Sequence, residues 1–338
     1  MYKNLYKFDD MKRSEHMAVR KTVGWYLWTH QLVEVTGKDA AAFLDLLCTN
    51  PIANLAVGRE RYTTMVDDNG QIIDDVVIFR VEEQKYWIST LFCHILWRWY
   101  DAHKGDMDVS YVEITKQFHM YAVQGPKALE LVNALVKTPV DDLKFFSFAA
   151  NEIDGVSVIV NRAGFTGEKL GYEIYISADQ ADFLEDKLRP AAEALGGKQV
   201  TEFQIMAWTL PTEAGYYYMR DLSFTNPFEV GLEKGIGWGK EFIGKEALLK
   251  VKEAGPAREM VGFTLADDSF FVRSEHTGGI GEPVYIDDEE VGRVKKLVYS
   301  FVKETNIGYI LAKKGALKVG DIISLHGHEA VITEKPFI

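Results

Sequence analysis

Residues 68–79 have the sequence DNGQIIDDVVIF, in which a turn signal leads directly into an apolar strand. Asp-Asn-Gly favours a tight turn, and the strand carries two adjacent acids, Asp74 and Asp75, ahead of its apolar centre. Because strand side chains alternate between two faces, one of the two acids must point inward. A buried carboxylate is costly unless a ligand or a donor satisfies it. On these residues alone, a turn-edge role is favoured over a functional site, since Asp is common in hairpin turns.

The segments around this strand predict one α+β unit. Residues 31–37 and 62–65 have strand patterns, and apolar residues at helical spacing predict a helix over 38–47. Residues 85–90 continue the sheet, and 91–100 predict a second helix. The Asp-Asn-Gly turn therefore joins two strands of this unit.

A second unit is predicted to begin near residue 112. Its predicted strands cover residues 112–123, 156–161 and 172–176, and its predicted helices cover residues 127–135 and 181–195. A glycine-rich loop at 163–171 lies between its last two strands.

Beyond residue 255 the pattern changes to short strands separated by Gly, Asp and Asn turns. These strands are predicted at residues 260–265, 282–286, 292–299, 321–325 and 329–333. Such spacing predicts a small β-barrel. The chain as a whole is therefore predicted to be α+β, with a β-rich C-terminal module.

Composition and charge exclude several classes of protein. Lys and Arg number 38 against 50 Asp and Glu, a net charge of −12, so no general nucleic-acid or anionic-membrane binder is expected. Cys48 and Cys93 form no disulfide framework, which predicts a reducing, cytoplasmic location. Residues 1–10 lack the apolar segment of a signal peptide, and no run of about 18 apolar residues predicts a membrane span.

No motif points to a metal or a nucleotide. HExxH, the P-loop and GxSxG are absent, and the glycine-rich run at 235–239 does not match GxGxxG. His326 and His328 would share one face of a strand, but without a third ligand an exposed pair is the better interpretation. We predict no metal site.

Two other segments carry side chains suited to a flat ligand rich in N–H groups. Residues 164–173 (GFTGEKLGYE) contain three glycines, and Glu173 enters the following strand between apolar neighbours. A carboxylate there can accept two parallel N–H donors, such as those of a fused amino-pyrimidine ring. On spacing alone, a solvent-facing Glu in a surface hairpin is favoured. Residues 216–218 are three consecutive tyrosines, which can stack on an aromatic ligand or fill an interior.

These blocks occur in the order found in one known family. Residues 58–65 (GRERYTTM) and 68–77 (DNGQIIDDVV) resemble the tyrosine-to-Asp-Asp signature of the glycine cleavage system T protein (aminomethyltransferase) family. The later blocks that resemble it are residues 121–126 (YAVQGP), 164–174, 213–215, Trp238, 242–248 and 307–309. The resemblance runs from about residue 15 to the C-terminus.

The resemblance implies three domains arranged as a cloverleaf around a central channel that holds tetrahydrofolate. We expect a discontinuous folate-binding domain at residues 1–30 plus 116–240. An α+β domain is expected at 31–115, and a small C-terminal β-barrel domain at 241–338.

The same resemblance assigns roles to individual residues. Asp74 matches the catalytic aspartate beside the reacting edge of the folate, and Glu173 matches the glutamate that grips the pterin ring. Tyr62 matches a tyrosine of the same cavity. Gln124, Arg162 and Tyr217 are further candidate folate-binding residues.

Two departures from the family bear on the one-carbon donor. The family's two arginines ahead of Glu-Ala-Gly correspond to Met206 or Ala207 and to Pro211, which cannot anchor a carboxylate. A more acidic block of the family corresponds to YLWTH at 26–30, and the added aromatic residues would suit an apolar methyl donor. These departures favour a demethylase that moves a methyl group from a small O-, N- or S-methyl compound to tetrahydrofolate.

Two alternatives stay open. One is the aminomethyltransferase of the glycine cleavage system, which would require a lipoyl carrier protein. The other is a non-catalytic folate-binding assembly or regulatory protein. It is the weaker alternative, because the stretch at 234–237 lacks the Lys-Gly-Cys motif of such relatives.

Overall fold

The computed structural model describes residues 5–28, 31–267, 272–275 and 279–338. In the described residues the strands are β1 Gly24–Trp28, β2 Gln31–Thr36, β3 Glu60–Val66, β4 Ile72–Glu82, β5 Lys85–Thr90, β6 Ser110–Glu113, β7 Phe118–Gln124, β8 Ser147–Ile153, β9 Val156–Arg162, β10 Gly171–Ser177, β11 Lys198–Gln199, β12 Arg258–Leu265, β13 Pro283–Ile286, β14 Glu289–Ser300, β15 Thr305–Lys313, β16 Ile322–Leu325 and β17 His328–Thr333. The α-helices are α1 Asp10–Lys21, α2 Ala40–Leu47, α3 Cys93–His103, α4 Ala128–Leu135, α5 Ala181–Ala194, α6 Leu210–Glu213, α7 Met219–Leu222, α8 Pro227–Val230 and α9 Lys245–Ala254. Residues Ile205–Thr209 form a π-helical turn, and short 3₁₀ turns cover Leu5–Phe8, Thr115–Gln117, Ala178–Gln180 and Glu233–Gly235.

The first sheet has the strand order β11-β1-β7-β10-β9-β8. Helices α4 and α5 cover one face, where Trp25, Tyr121 and Ile174 pack with Leu184 and Leu188. The central strands β7 and β10 are buried along most of their length because the second sheet packs against their other face. This double burial explains their nearly continuous apolar sequences.

The second sheet has the order β3-β4-β5-β2-β6 and is covered on one face by α2 and α3. Alternation along β4 divides its side chains between two environments. Val76 and Ile78 pack under these helices. Phe79 points the other way and meets Tyr175 of the first sheet, with ring centroids 5.7 Å apart. The opposite face of β4 therefore looks towards the first sheet.

The third sheet has the order β13-β14-β15-β12-β17-β16. Its edge strands β13 and β16 contact each other, so the sheet nearly closes into a barrel. Phe263, Val284, Ile310 and Ile332 fill the interior of this barrel. The predicted α+β class with a β-rich C-terminal module is confirmed.

The three sheets fall within the three predicted domain ranges, although the boundaries of those domains stay a prediction. Residues 1–4 and 29–30 of the first range lie outside the described residues, and so do Thr29 and His30 of the aromatic block.

The prediction of one strand over residues 112–123 was wrong. Strand β6 ends at Glu113 in the second sheet, and β7 begins at Phe118 in the first. Between them a 3₁₀ turn is held by two hydrogen bonds, from the amide of Ile114 to the Leu32 carbonyl at 2.8 Å and from the amide of Leu32 to Thr115 Oγ1 at 3.0 Å. The turn residues Thr115–Gln117 are polar but include no Gly, Pro, Asn or Asp, so no turn signal marks the point where the chain crosses between the sheets.

One buried acid, Glu213, connects the first helix to the C-terminal barrel. Its Oε2 lies 2.8 Å from Arg20 Nη2 and 3.2 Å from His16 Nε2, both on α1. Its Oε1 accepts a hydrogen bond from Ser300 at the end of β14. Burial opposes the charge on Glu213, but His16, Arg20 and Ser300 outweigh burial and lower its pKa. The ionised carboxylate therefore stabilises the fold.

We expect Glu213→Gln to lower the free energy of unfolding by about 3–5 kcal/mol, because it removes the buried anion that bonds to Arg20 and leaves that cation with its ion pair to Glu168. The matched control is Glu241→Gln, which removes an exposed partner of Lys245 and should cost less than about 1 kcal/mol. Since the Glu213 pKa is lowered in the folded state, the stabilisation should be lost as the pH falls below about 4.5. Urea unfolding at several pH values would measure both effects. Equal unfolding free energies for the two variants would contradict the role given to this cluster.

Candidate active site

A cavity of about 580 Å³ lies where the first and second sheets meet the segment after α6 and the C-terminal segment. This volume is within the range of small-molecule sites in proteins. Its walls are mainly apolar and aromatic, with a few acids and one base. The lining includes Trp28, Glu60, Tyr62, Asp75, Val77, Phe79, Met120, Phe145, Phe146, Phe165, Glu173, Tyr175, Ala207, Pro211, Tyr216, Tyr217, Tyr218 and Lys335.

The structure places Asp75, rather than Asp74, on the cavity wall. Asp75 accepts a hydrogen bond from the hydroxyl of Tyr62, 3.0 Å away, and Tyr62 also lines the cavity. Asp74 is 1 % exposed, and its Oδ2 lies 2.6 Å from the hydroxyl of Thr90. The expectation that Asp74 faces the cavity is therefore corrected.

The physical reason is the alternation along β4. Asp74 shares its face with Val76 and Ile78, and that face is covered by α2 and α3. Asp75 shares its face with Val77, which lines the cavity. Strand geometry shows that the two acids point in opposite directions. The helices that pack on one face of the strand determine which of the two acids lines the cavity.

Both acids hold protons more tightly than ordinary aspartates. Burial raises the pKa of Asp74 to about 8, and the neighbouring charge of Asp75 adds to the effect. Burial also raises the pKa of Asp75, to about 6, while the hydrogen bond from Tyr62 opposes the shift. A carboxyl group that titrates near neutral pH inside a cavity is suited to accept or release a proton.

Glu173 lines the same cavity from the first sheet and does not face solvent as its spacing alone favoured. Its Oε2 accepts hydrogen bonds from Asn161 Nδ2 at 3.0 Å and from the hydroxyl of Tyr175 at 3.3 Å. Asn161 stands opposite Glu173 in the pairing of β9 with β10. The same Nδ2 donates to Glu60 Oε2 at 2.9 Å. Two acids therefore meet at this end of the cavity.

Gln124 supports the site without lining the cavity. Its Nε2 donates to the carbonyl of Ala163 at 3.1 Å, and its Oε1 accepts from Thr166 at 2.9 Å. A Cβ on Gly164 would lie 2.1 Å from this oxygen, so a glycine is required there. Gln124 thus packs inside the glycine-rich loop and fixes the entry into β10.

Arg162 also lies outside the cavity lining. Its guanidinium donates to the carbonyl of Leu143 at 2.8 Å, and its own carbonyl accepts from the amide of Phe146 at 2.9 Å. Phe146 has a φ of 57°, a conformation that bulky residues rarely adopt. Arg162 therefore holds the loop that presents Phe145 and Phe146 to the cavity.

Tyr217 lines the cavity as expected, and it is paired with a residue that the sequence analysis missed. Lys335 Nζ donates to the hydroxyl of Tyr217 at 2.5 Å. Among the described residues, Lys335 is the only basic side chain of the cavity wall. Burial lowers its pKa to about 8. No sequence pattern near the C-terminus predicts that Lys335 reaches the cavity wall.

Glu60 and Asn161 were also missed, although both left weak signals. Glu60 is two residues before Tyr62, so the two side chains share one face of β3. Asn161 ends a predicted strand that the glycine-rich loop connects to Glu173. Only the pairing of β9 with β10 brings these side chains together.

The described part of the chain contains no cluster of His, Cys, Asp or Glu side chains that could bind a metal ion. His326 lies in a turn with a φ of 52°, and only His328 is in β17, so the expected common strand face is not present. Their side chains lie near separate acids, with His326 Nε2 3.2 Å from Glu282 and His328 Nδ1 2.6 Å from Asp267. In the described ranges, each helix is too short or too polar to cross a membrane.

Comparison with known proteins identifies the family. The family model described as the GCVT N-terminal domain matches residues 2–240. The aminomethyltransferase of Alkaliphilus oremlandii is 34 % identical over 312 residues, which cover 88 % of this chain and 80 % of the relative. The chain belongs to the glycine cleavage T protein family. Its members are transferases, so the chain is assigned to that class of enzyme.

Other members of the T protein family support the same assignment. The aminomethyltransferase of Thermotoga maritima is 32 % identical over 342 residues, with coverage of 96 % of this chain and 88 % of that protein. The crystal structure of the glycine cleavage system aminomethyltransferase T from Bartonella henselae matches with a TM-score of 0.84. It covers 97 % of this chain and 89 % of that chain at 19 % identity, which shows a common fold.

The raised pKa of Asp74 should make the stability of the fold depend on pH. Because the folded state raises the Asp74 pKa from 3.8 to about 8, ionisation of Asp74 destabilises the fold as the pH rises through this window. We expect the unfolding free energy of the wild type to fall relative to that of Asp74→Asn between about pH 4 and pH 8. Asp106→Asn, at an exposed position, should follow the wild type. A pH-independent difference between the wild type and Asp74→Asn would contradict the expectation.

Proposed function

We propose that this T protein family member transfers an aminomethyl carbon to tetrahydrofolate bound in the cavity. The observation that carries the proposal is the meeting of Asp75, from the second sheet, and Glu173, from the first, on the wall of one cavity. One acid suits the recognition of a ring and the other suits proton transfer at a reacting centre. The relatives are named aminomethyltransferases, which favours this reaction over methyl transfer.

The chemistry of the cavity fits tetrahydrofolate. Glu173 can accept the two parallel N–H groups of a 2-amino-4-oxopyrimidine ring. Trp28 and Phe165, with ring centroids 4.4 Å apart and planes inclined by 43°, add aromatic surface to the wall, and Tyr62 and Tyr217 bring hydroxyls to the cavity. Tetrahydrofolate would supply the nucleophilic nitrogens that take up the carbon.

Asp75 would act at the reacting centre. Its carboxylate, held by the hydroxyl of Tyr62, can bind the ammonium group of an aminomethyl donor or exchange a proton with a reacting nitrogen. Because its pKa is raised to about 6, both protonation states are accessible near neutral pH. The catalytic role that the resemblance assigned to Asp74 is therefore proposed for Asp75.

Lys335 would bind a carboxylate of the folate tail. The residues matched to the family's arginines, Met206 or Ala207 and Pro211, carry no charge, and Ala207 and Pro211 line the cavity. Lys335 provides a cation on the same wall and is held by Tyr217. An ammonium group can bind a carboxylate there, although without the two parallel bonds that an arginine offers.

The demethylase is the second candidate. The observation in its favour is the same pair, Ala207 and Pro211, together with the aromatic lining around Tyr216–Tyr218, which suits an apolar methyl donor. Its partner would be a small O-, N- or S-methyl compound. The aminomethyl reaction instead requires a lipoyl carrier protein, and a folate-binding protein without turnover requires neither.

One set of assays separates these functions. The purified protein is incubated with tetrahydrofolate and an aminomethyl-lipoyl carrier, and methylene-tetrahydrofolate and ammonia are measured. Parallel incubations contain O-, N- or S-methyl donors, and 5-methyl-tetrahydrofolate is measured. Methyl transfer without aminomethyl transfer would overturn the proposal in favour of the demethylase. Binding without either product would favour a non-catalytic role.

We expect Asp75→Asn to lower the transfer rate by about 10²–10⁴-fold, because it removes the group that exchanges a proton. Asp74→Asn should retain most of the activity, since Asp74 lies behind the strand and bonds to Thr90. Single-turnover rates of the two variants measure the difference. A larger loss for Asp74→Asn than for Asp75→Asn would return the catalytic role to Asp74.

Lys335→Met should weaken tetrahydrofolate binding by about 10–100-fold, the effect of losing a hydrogen bond to a charged group. Lys335→Arg should retain most of the affinity because it keeps the charge. The wild-type affinity should fall as the pH rises through about 8, where Lys335 loses its proton. Lys318→Met, at an exposed position, is the control for a changed net charge. Titrations followed by tyrosine and tryptophan fluorescence measure the affinities, and equal values for Lys335→Met and the control would contradict the assignment.

A further inference from the structure

Glu60 and Glu173 form a pair of buried acids, and among the described residues neither forms an ion pair, although the charge of the adjacent Arg59 acts on Glu60. Both line the cavity, and both are more than nine-tenths buried. Their Oε2 atoms lie 2.9 Å and 3.0 Å from the same nitrogen, Asn161 Nδ2. Among the described residues, no partner is present for Glu60 Oε1 or for Asn161 Oδ1. Ring binding by Glu173 alone does not explain why a second buried acid, Glu60, lies beside it.

Two carboxylates this close cannot both be ionised in a buried site, so the pair retains one proton. Burial and the charge of Glu173 raise the pKa of Glu60 well above its usual value, while Asn161 and then Arg59 oppose the shift. Burial also raises the pKa of Glu173, but Asn161 and Tyr175 donate to its ionised form. Glu60 therefore keeps the proton, and Glu173 carries the charge.

A neutral carboxyl group is a hydrogen-bond donor, and an ionised one is only an acceptor. The donor edge that Glu173 would bind consists of the 2-amino group and N3–H of the ring. The ring atoms next to this edge, the 4-oxo oxygen on one side and N1 on the other, are both acceptors. An ionised Glu60 beside Glu173 would repel them, whereas a neutral Glu60 would donate to one of them.

We propose that Glu60 is a second recognition residue for the 2-amino-4-oxopyrimidine ring, and that it acts as a neutral O–H donor beside the ionised Glu173. The inference rests on the proposed function, since it requires a folate ring at this end of the cavity. It adds one requirement, that the site form a hydrogen bond to an acceptor atom of the ring as well as to its N–H donors. Asn161 positions both carboxyl groups through its two N–H bonds.

The test uses the full-length chain and 5-formyl-tetrahydrofolate, a folate stable to oxidation, titrated between about pH 6 and pH 9. Glu60→Gln retains a neutral donor and should bind within about threefold of the wild type at neutral pH. Glu60→Met has a similar length and no donor, and should bind about tenfold more weakly, the effect of one lost hydrogen bond. Glu173→Gln should lose at least about tenfold, because it removes the charged acceptor.

The pH profile separates recognition from a structural role. The ratio of wild-type to Glu60→Gln affinity should fall as the pH rises, because only the wild type can ionise at position 60. Groups that face Glu60, namely Glu173, Tyr175 and Arg59, are present in both proteins, as is Lys335, so their titration affects both alike. Thermal unfolding of each variant checks the fold, and the conservative Glu60→Gln keeps the test open if Glu60→Met unfolds.

A pH-independent ratio, or Glu60→Met binding as tightly as the wild type, would overturn the inference. If Glu173→Gln is weakened in the same experiment, the proposed function survives that result. Failure of the wild type to bind the folate at any pH would overturn both.

Discussion

The buried carboxylate of Glu213 holds together segments that are far apart in the sequence. It bonds to Arg20 of the first helix and to Ser300 of the barrel, and its backbone carbonyl accepts the amide of Phe337 at 2.9 Å. Arg20 also donates to the carbonyl of Thr166 at 2.7 Å, so the same cluster fixes the glycine-rich loop. Removing this charge from water is unfavourable unless several donors converge on it. Because these donors come from the first helix, the barrel and the C-terminal segment, one acid joins the unit of the first sheet to the barrel.

The cavity brings together acids from two facing sheets. Glu173 lies on the first sheet, and Glu60 and Asp75 lie on the second. Lys335 lies in the C-terminal segment, two residues before Phe337, whose amide donates to the carbonyl of Glu213. Its Nζ donates to the hydroxyl of Tyr217. The wall therefore carries three acids and, among the described residues, one base, with aromatic rings between them. A ligand that suits this arrangement is flat, rich in N–H groups at one end and anionic at another, which agrees with tetrahydrofolate as the proposed substrate.

Much of the fold could be predicted because its signals are local. Glycine and aspartate turns mark the barrel strands, and the run from Lys85 to Thr90 was predicted with its observed bounds. The prediction of one strand over residues 112–123 failed because the turn at Thr115–Gln117 contains no glycine, proline, asparagine or aspartate to signal it. For the site, Glu173 and Tyr62 were found on the cavity wall, whereas Gln124 and Arg162 lie behind it.

The sequence by itself determined that Asp74 and Asp75 point in opposite directions, because strand geometry alone requires it. It also determined the family, since the ordered motifs are a property of the chain. Only the tertiary structure decided that Asp75 faces the cavity, because α2 and α3 pack on the face that carries Asp74. It likewise decided that Glu60 meets Asn161, 101 residues away, and that Lys335 reaches Tyr217. Contacts between distant segments depend on how sheets pack together, and no local pattern records that packing.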